Sequence, residues 1–181
     1  MTTWISHRGY CGEGEVENTL GAFKQAVRYG FMHLETDLRL SADKKLILVH
    51  DPHLKRLGGS KTPVYKSKSE QLKQVHLMGK SRILFFDDFI ENFQNCVWTL
   101  DIKPEEGFET VKYLAMFIQK SKIKTHFIEK TKYLFWNEAQ QNLFAKLVPG
   151  VKFYAREKQC WRAGLAILLG LPSLSGISKD L

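Results

Sequence analysis

"HLETDLRLSADKKLILVHD" (residues 33–51) gathers one Glu, three Asp and two His around two short apolar runs. In an extended strand the side chains at i and i+2 project from one face, so Glu35 and Asp37 aim two carboxylates at a common point. Two carboxylates that close repel each other, and a divalent cation is the usual remedy. The polar "SADKK" (41–45) reads as a tight turn, and "LILVH" (46–50) as a returning strand that carries His50 back towards the same point.

Outward from this hairpin the chain alternates strands with helices. "TTWISHRG" (2–9) suits a first strand ending at Gly9, and Asn18 or Thr19 caps a helix with Leu20, Phe23 and Val27 on one face. Residues from about 52 to 86 read as an inserted excursion of loops and one short helix, followed by the amphipathic helix "ILFFDDFIENF" (83–93). "VWTLDIKP" (97–104) is a core strand and "GFETVKYLAMFIQKS" (107–121) a helix with Val111, Leu114 and Ile118 in a stripe. "THFIEK" (125–130) is expected to be a strand, "NEAQQNLFAKLVPG" (137–150) a helix and "VKFYAR" (151–156) a strand. "CWRAGLAILLG" (160–170) reads as a last helix and "LSGISKDL" (174–181) as a last strand. This alternation implies an α/β fold with a mostly parallel sheet, open or closed into a barrel, in one domain over residues 1–181.

The 181 residues are 44% hydrophobic, enough for one substantial core, and no apolar run reaches the roughly 20 residues of a membrane span. The start lacks the pattern of a signal peptide, so a cytoplasmic protein is expected. Cys11, Cys96 and Cys160 show neither disulfide pairing nor metal-ligand spacing. The net charge of +8 favours anionic partners, and much of it sits in residues 55–82, where eight Lys and Arg face only Glu70. With aromatic interleaving nearly absent, that stretch reads as a solvated lysine-rich surface rather than a specific nucleic-acid site.

The chemistry-bearing residues fall where the predicted strands end: His7 and Arg8, Glu35 and Asp37, His50, then Asp101 and Lys103. In a parallel α/β barrel all such ends open on one face, so these groups converge there. Oxygen ligands without cysteine favour a hard cation, Mg²⁺ or Ca²⁺. Arg8 and Lys103 supply fixed positive charge for a phosphate, and His7 and His50 can move protons near neutral pH. His33, His53, His76 and His126 read as ordinary structural or surface histidines.

"HRG" (7–9), "ENT" (17–19) leading to Phe23, Ala26 and Gly30, "ETD" (35–37), "LVHD" (48–51) and Arg56 together resemble the glycerophosphodiester phosphodiesterase family in content, order and spacing. "SEQLKQV" (69–75), the helix after it and "LDIKP" (100–104) are similar to later parts of that family. The resemblance implies a (β/α)₈ barrel of the TIM type, with one divalent ion held by Glu35, Asp37 and Asp101. It also implies His7 and His50 as the acid–base pair, with Arg8 and Lys103 on the substrate phosphate. The implied reaction turns a glycerophosphodiester into glycerol 3-phosphate and an alcohol.

Several positions depart from the family pattern. Val16 replaces a Pro, "SADKK" replaces a Thr-x-Asp-Gly turn, and Asp101 stands where Glu is commoner. The chain is also shorter than a family domain by about two βα units, so about six of eight barrel strands are expected. An unclosed barrel exposes a sheet edge that invites pairing with another chain. The alternative functions are therefore a catalytically inactive remnant acting through self-association and, on charge alone, a basic nucleic-acid binder.

Overall fold

The computed structural model describes residues 3–171. Its main sheet is built from parallel strands β1 (Ser6–His7), β2 (His33–Leu40), β6 (Val97–Ile102), β7 (Thr131–Phe135) and β8 (Lys152–Phe153). A short strand, β3 (Leu46–Leu48), returns antiparallel along β2, with Leu38 opposite Leu48. The remaining strands, β4 (His76–Leu77) and β5 (Ser81–Arg82), form a separate hairpin. Helices α1 (Leu20–Arg28), α3 (Phe86–Phe93), α4 (Gly107–Lys120), α6 (Glu138–Leu147) and α7 (Glu157–Leu168) follow successive parallel strands or the inserted segment. Two short helices, α2 (Ser69–Lys73) and α5 (Lys124–Glu129), complete the described strands and α-helices.

The parallel strands lie in the order β1-β2-β6-β7-β8, which is chain order without a reversal. A doubly wound sheet reverses its order at a switch point, whereas a singly wound sheet curls towards a barrel. Both faces of β2 are buried, and its alternation divides them. Leu34, Leu38 and Leu40 join the helix-side core with Phe23, Phe86, Phe89, Trp98, Leu100 and Leu114, while His33, Glu35, Asp37 and Arg39 share the other face. The polar face is therefore the inside of the curve.

Thr19 caps α1 by accepting from the Ala22 N–H, and Phe23 and Ala26 seat the helix in the core. Gly9 has φ +83°, and a Cβ there would stand 2.7 Å from Ala22, so the "HRG" turn can pass this close to α1 only as glycine.

The segment expected as the strand "THFIEK" is instead α5, and the strand follows as β7. Ile123 and Phe127, four residues apart, both meet the core, which is a helical spacing. Thr131, Tyr133 and Phe135 then alternate as buried positions, the signature of the true strand. The excursion is also more ordered than loops and one helix: beside α2 and the β4–β5 hairpin it contains two 3₁₀ turns, Lys55–Leu57 and Val64–Lys66. Leu54, Leu57, Val64, Leu72 and Leu77 form a second apolar cluster with Ile47 and Phe85, which anchors the insertion against β3. Five parallel barrel strands are present among the described residues, and the "LSGISKDL" strand lies outside them. No helix among the described residues is long and apolar enough to cross a membrane.

Candidate active site

Register places the acidic groups. Asp37 pairs directly with Asp101 across β2 and β6, and Glu35 stands two residues back on the same face of β2. One oxygen from each of Glu35, Asp37 and Asp101 lies within 4.8 Å of the others, and all three residues are buried. Lys103 Nζ bridges the pair, 2.7 Å from Asp37 Oδ1 and 2.6 Å from Asp101 Oδ2. The far oxygen of Asp37 meets Arg8 Nε at 3.0 Å and accepts from Asn18 Nδ2 at 2.8 Å. Asp101 Oδ1 accepts from Trp136 Nε1 at 2.8 Å.

Glu35 is the least compensated of the three. Its Oε2 accepts from the Arg8 backbone N–H at 3.0 Å and lies 3.8 Å from His7 Nε2. Burial, reinforced by the charge of Asp37, pushes its carboxyl up to about 8. A buried anion short of counter-charge is what a cation site looks like before the cation is counted, and the all-oxygen donor set matches a hard ion. These residues therefore fit a divalent cation held by Glu35, Asp37 and Asp101.

His7, Arg8 and Gly9 turn sharply off the end of β1. Arg8 takes φ +57°, and its N–H donates to the Glu35 backbone oxygen as well as to the carboxylate. His7 is two-thirds exposed, and what burial it has, together with the Arg8 charge, lowers its pKa. His50 arrives on the return after β3, its Nδ1 2.7 Å from Asp51 Oδ1. The His50 carbonyl accepts two bonds from buried Arg39, at 3.0 and 2.8 Å, and Arg39 Nη1 also reaches Glu105 and Glu106 at 3.0 Å each. A cleft of about 280 Å³ is lined by His50, Lys103, Trp136, Arg39 and Glu105. A larger apolar cavity of about 590 Å³ lies at the other end of the strands, beside Trp4, Met32 and Val97.

Six of the seven residues picked from the sequence, all but His50, are thus joined by direct contacts, and His50 shares the cleft with Lys103. Four others, to which the sequence assigns no chemical role, also reach the site, two of them from the "ENT" motif. Asn18 stands in the "ENT" motif and is one of two cap candidates, yet Thr19 caps and Asn18 braces Asp37, with its φ of +55° as the structural mark. Arg39 continues the i, i+2 series from Glu35 and Asp37, a signal visible in the sequence. Glu17 and Trp136 reach the site from loops, where no periodicity announces them.

The residues 7–149 match the family model described as glycerophosphoryl diester phosphodiesterase family, and the chain belongs to this family. The human lysophospholipase D GDPD1 is 35% identical over 116 residues, covering 57% of this chain and 37% of the relative. A glycerophosphodiester phosphodiesterase of Bacillus altitudinis is 36% identical over 74 residues, covering 41% of this chain and 30% of the relative. The solved glycerophosphodiester phosphodiesterase of Thermotoga maritima superposes with a TM-score of 0.67 at 26% identity, covering 84% of this chain and 61% of that one. An Oleispira antarctica phosphodiesterase, solved with sn-glycerol-3-phosphate, gives 0.70 at 24% identity over 86% and 64%. The chain therefore spans well under half of these curated relatives and under two-thirds of the solved chains, and the described strands form part of a TIM-type barrel.

Proposed function

We propose that this chain hydrolyses glycerophosphodiesters to glycerol 3-phosphate and an alcohol, using one Mg²⁺ or Ca²⁺ held by Glu35, Asp37 and Asp101. The observation that carries the reading is the meeting of three buried carboxylates with His7, Arg8 and Lys103 at the C-terminal strand ends. A bound divalent ion supplies fixed positive charge opposite the phosphate oxygens. Arg8, whose guanidinium already faces the carboxylates, turns its remaining donors to the phosphate, and Lys103 adds a second positive charge beside it. One imidazole of the His7–His50 pair takes the proton of the substrate's free glycerol hydroxyl as that oxygen attacks phosphorus. The other gives a proton to the departing alcohol. The same two groups then serve in reverse as water opens the cyclic phosphate.

The test is hydrolysis of glycerophosphocholine by the purified protein, with Mg²⁺, with Ca²⁺ and with excess chelator. Lysophosphatidylcholine runs alongside because the human relative is named as a lysophospholipase D. Release of glycerol 3-phosphate that stops in chelator is expected. Full activity in chelator, or none with either metal, overturns the proposal.

A further inference from the structure

Glu17, Arg56 and Asp51 take no part in the proton transfers above, yet they form a continuous chain of opposite charges across the mouth of the site. Asp51 Oδ1 stands 2.7 Å from His50 Nδ1, and its other oxygen accepts from Arg56 Nε at 2.7 Å. Arg56 spends its two remaining nitrogens on Glu17, with Nη1 to Oε2 at 2.9 Å and Nη2 to Oε1 at 2.5 Å. Glu17 Oε1 in turn meets Arg8 Nη1 at 3.4 Å. The members come from separate segments: Arg8 after β1, Glu17 before α1, His50 and Asp51 after β3, and Arg56 in the excursion.

An exposed ion pair on its own contributes little, and the Arg56 side chain is 47% exposed. This one is different in kind, because a single guanidinium binds two carboxylates through three bonds and so fixes both. The electrostatics agree. Burial pushes the Glu17 and Asp51 carboxyls up, but the bonds and charge of Arg56 outweigh it and hold both below their ordinary values. Asp51 is the chain neighbour of His50, and without Arg56 its carboxylate would be free to rotate away from the ring.

We infer that Glu17, Arg56 and Asp51 are positioning residues that hold the His50 imidazole with its proton on Nδ1, leaving Nε2 to exchange protons with substrate, and that tie this setting to Arg8. A carboxylate can only accept, so the 2.7 Å contact requires a proton on Nδ1 of the ring. The consequence for turnover rests on the phosphodiesterase reading, whereas the tautomer is a property of the resting protein.

Long-range ¹⁵N–¹H NMR of the imidazoles near neutral pH, on wild type, Arg56→Gln, Arg56→Lys and Asp51→Ala, reads the tautomer directly. Turnover of glycerophosphocholine and its Mg²⁺ dependence are measured on the same samples. The wild-type His50 ring is expected in the Nδ1–H form, and all three variants as tautomer mixtures. Their kcat should fall roughly 10- to 100-fold, the usual worth of an orienting partner, while the Mg²⁺ midpoint moves less than about twofold. Arg56→Lys should fail like Arg56→Gln, since an ammonium cannot grip two carboxylates in the guanidinium's geometry. A wild-type ring in the Nε2–H form, or an unchanged ring in Arg56→Gln, overturns the inference whatever happens to kcat. If wild type hydrolyses nothing, the phosphodiesterase reading falls and the NMR arm still decides this one. If Asp51→Ala does not fold, the half-exposed Arg56 variants carry the test.

Discussion

Lys103 Nζ lies 2.7 Å from Asp37 Oδ1, so its ammonium occupies the neighbourhood of the carboxylates that could hold a divalent cation. It also lies 2.6 Å from Asp101 Oδ2, and both aspartates are almost wholly shielded from solvent. A metal held there would compete with the lysine for the same oxygens. Replacing Lys103 with Met should tighten Mg²⁺ binding several-fold, by removing the competing charge, and should raise KM by removing a phosphate contact. The metal-free protein should lose roughly 3–5 kcal/mol, the usual cost of breaking one side of a buried ion pair. Calorimetric titration with Mg²⁺ and denaturant melts in chelator check both halves. Weaker Mg²⁺ binding in Lys103→Met would show that the lysine supports the metal rather than opposing it.

The carboxylates and the histidines should separate into two classes of variant. Asp37→Asn and Asp101→Asn keep shape but lose the charge that holds a hard cation, so their Mg²⁺ midpoints should rise and added metal should restore part of the activity. His7→Ala and His50→Ala should keep the wild-type midpoint while kcat falls roughly 10²- to 10⁴-fold. No metal concentration should rescue them. Turnover measured against Mg²⁺ for the four variants checks this, and undiminished activity in His7→Ala would remove the acid–base pair from the scheme.

Glu35 contributes to the pH dependence of the metal-free protein. Its carboxyl is raised to about 8, so its protonated form favours the fold. That contribution is complete below the ordinary carboxylate range near 4.5 and is lost as the pH rises through 8. In chelator, the melting temperature of wild type should therefore fall from pH 5 to 9 relative to that of Glu35→Gln. His7, His33 and His126, with their lowered pKa values, act in part of the same interval with the opposite sign, and Glu106, raised by burial, with the same sign, so the difference between the two proteins is the informative quantity. Mg²⁺ binds the ionised form and should release close to one proton from Glu35 at pH 6 and far less at pH 9. Calorimetry in buffers of different ionisation enthalpy counts that proton, and equal release at both pH values would contradict the assignment.

The site was legible in the sequence wherever it lay on strands. Glu35 and Asp37, and likewise Asp101 and Lys103, are spaced by two, which puts each pair on one face of its segment, and the β2–β6 pairing then brings the two pairs together. The strand–helix alternation likewise announced a mostly parallel sheet, while its singly wound order is read from the fold. What was not legible depends on contacts between distant segments. The helix at Lys124–Glu129 was mistaken for a strand because a short apolar run has no decisive period, and burial of Ile123 and Phe127 against the core settled it. Trp136 and Glu17 reach the site through loop geometry, for which local sequence has no code. Arg56 carries part of the family resemblance but stands in a lysine-rich stretch that reads as solvated surface, and its bonds to Glu17 and Asp51 are seen only in the fold.

Asn18 joins the backbone argument to the metal argument. It is 2% exposed and held at φ +55°, and its amide donates to Asp37 Oδ2 at 2.8 Å while accepting from Thr36 Oγ1 at 2.8 Å. Asparagine is among the few residues with a side chain that tolerate this left-handed conformation, and its amide supplies both a donor and an acceptor. Asn18→Gly keeps the backbone comfortable but leaves the buried Thr36 hydroxyl without its acceptor and Asp37 Oδ2 with Arg8 alone, which should cost about 1–3 kcal/mol. Asn18→Ala should cost roughly 1 kcal/mol more, because a Cβ is strained at positive φ. Both should weaken Mg²⁺ binding roughly 10- to 100-fold, since Asp37 loses the donor that orients it. Denaturant melts of the two variants, with Mg²⁺ titrations beside them, read the backbone and side-chain contributions separately. An Asn18→Ala protein within about 0.5 kcal/mol of wild type, the ordinary range of an inert surface change, would show that neither the conformation nor the bonds matter.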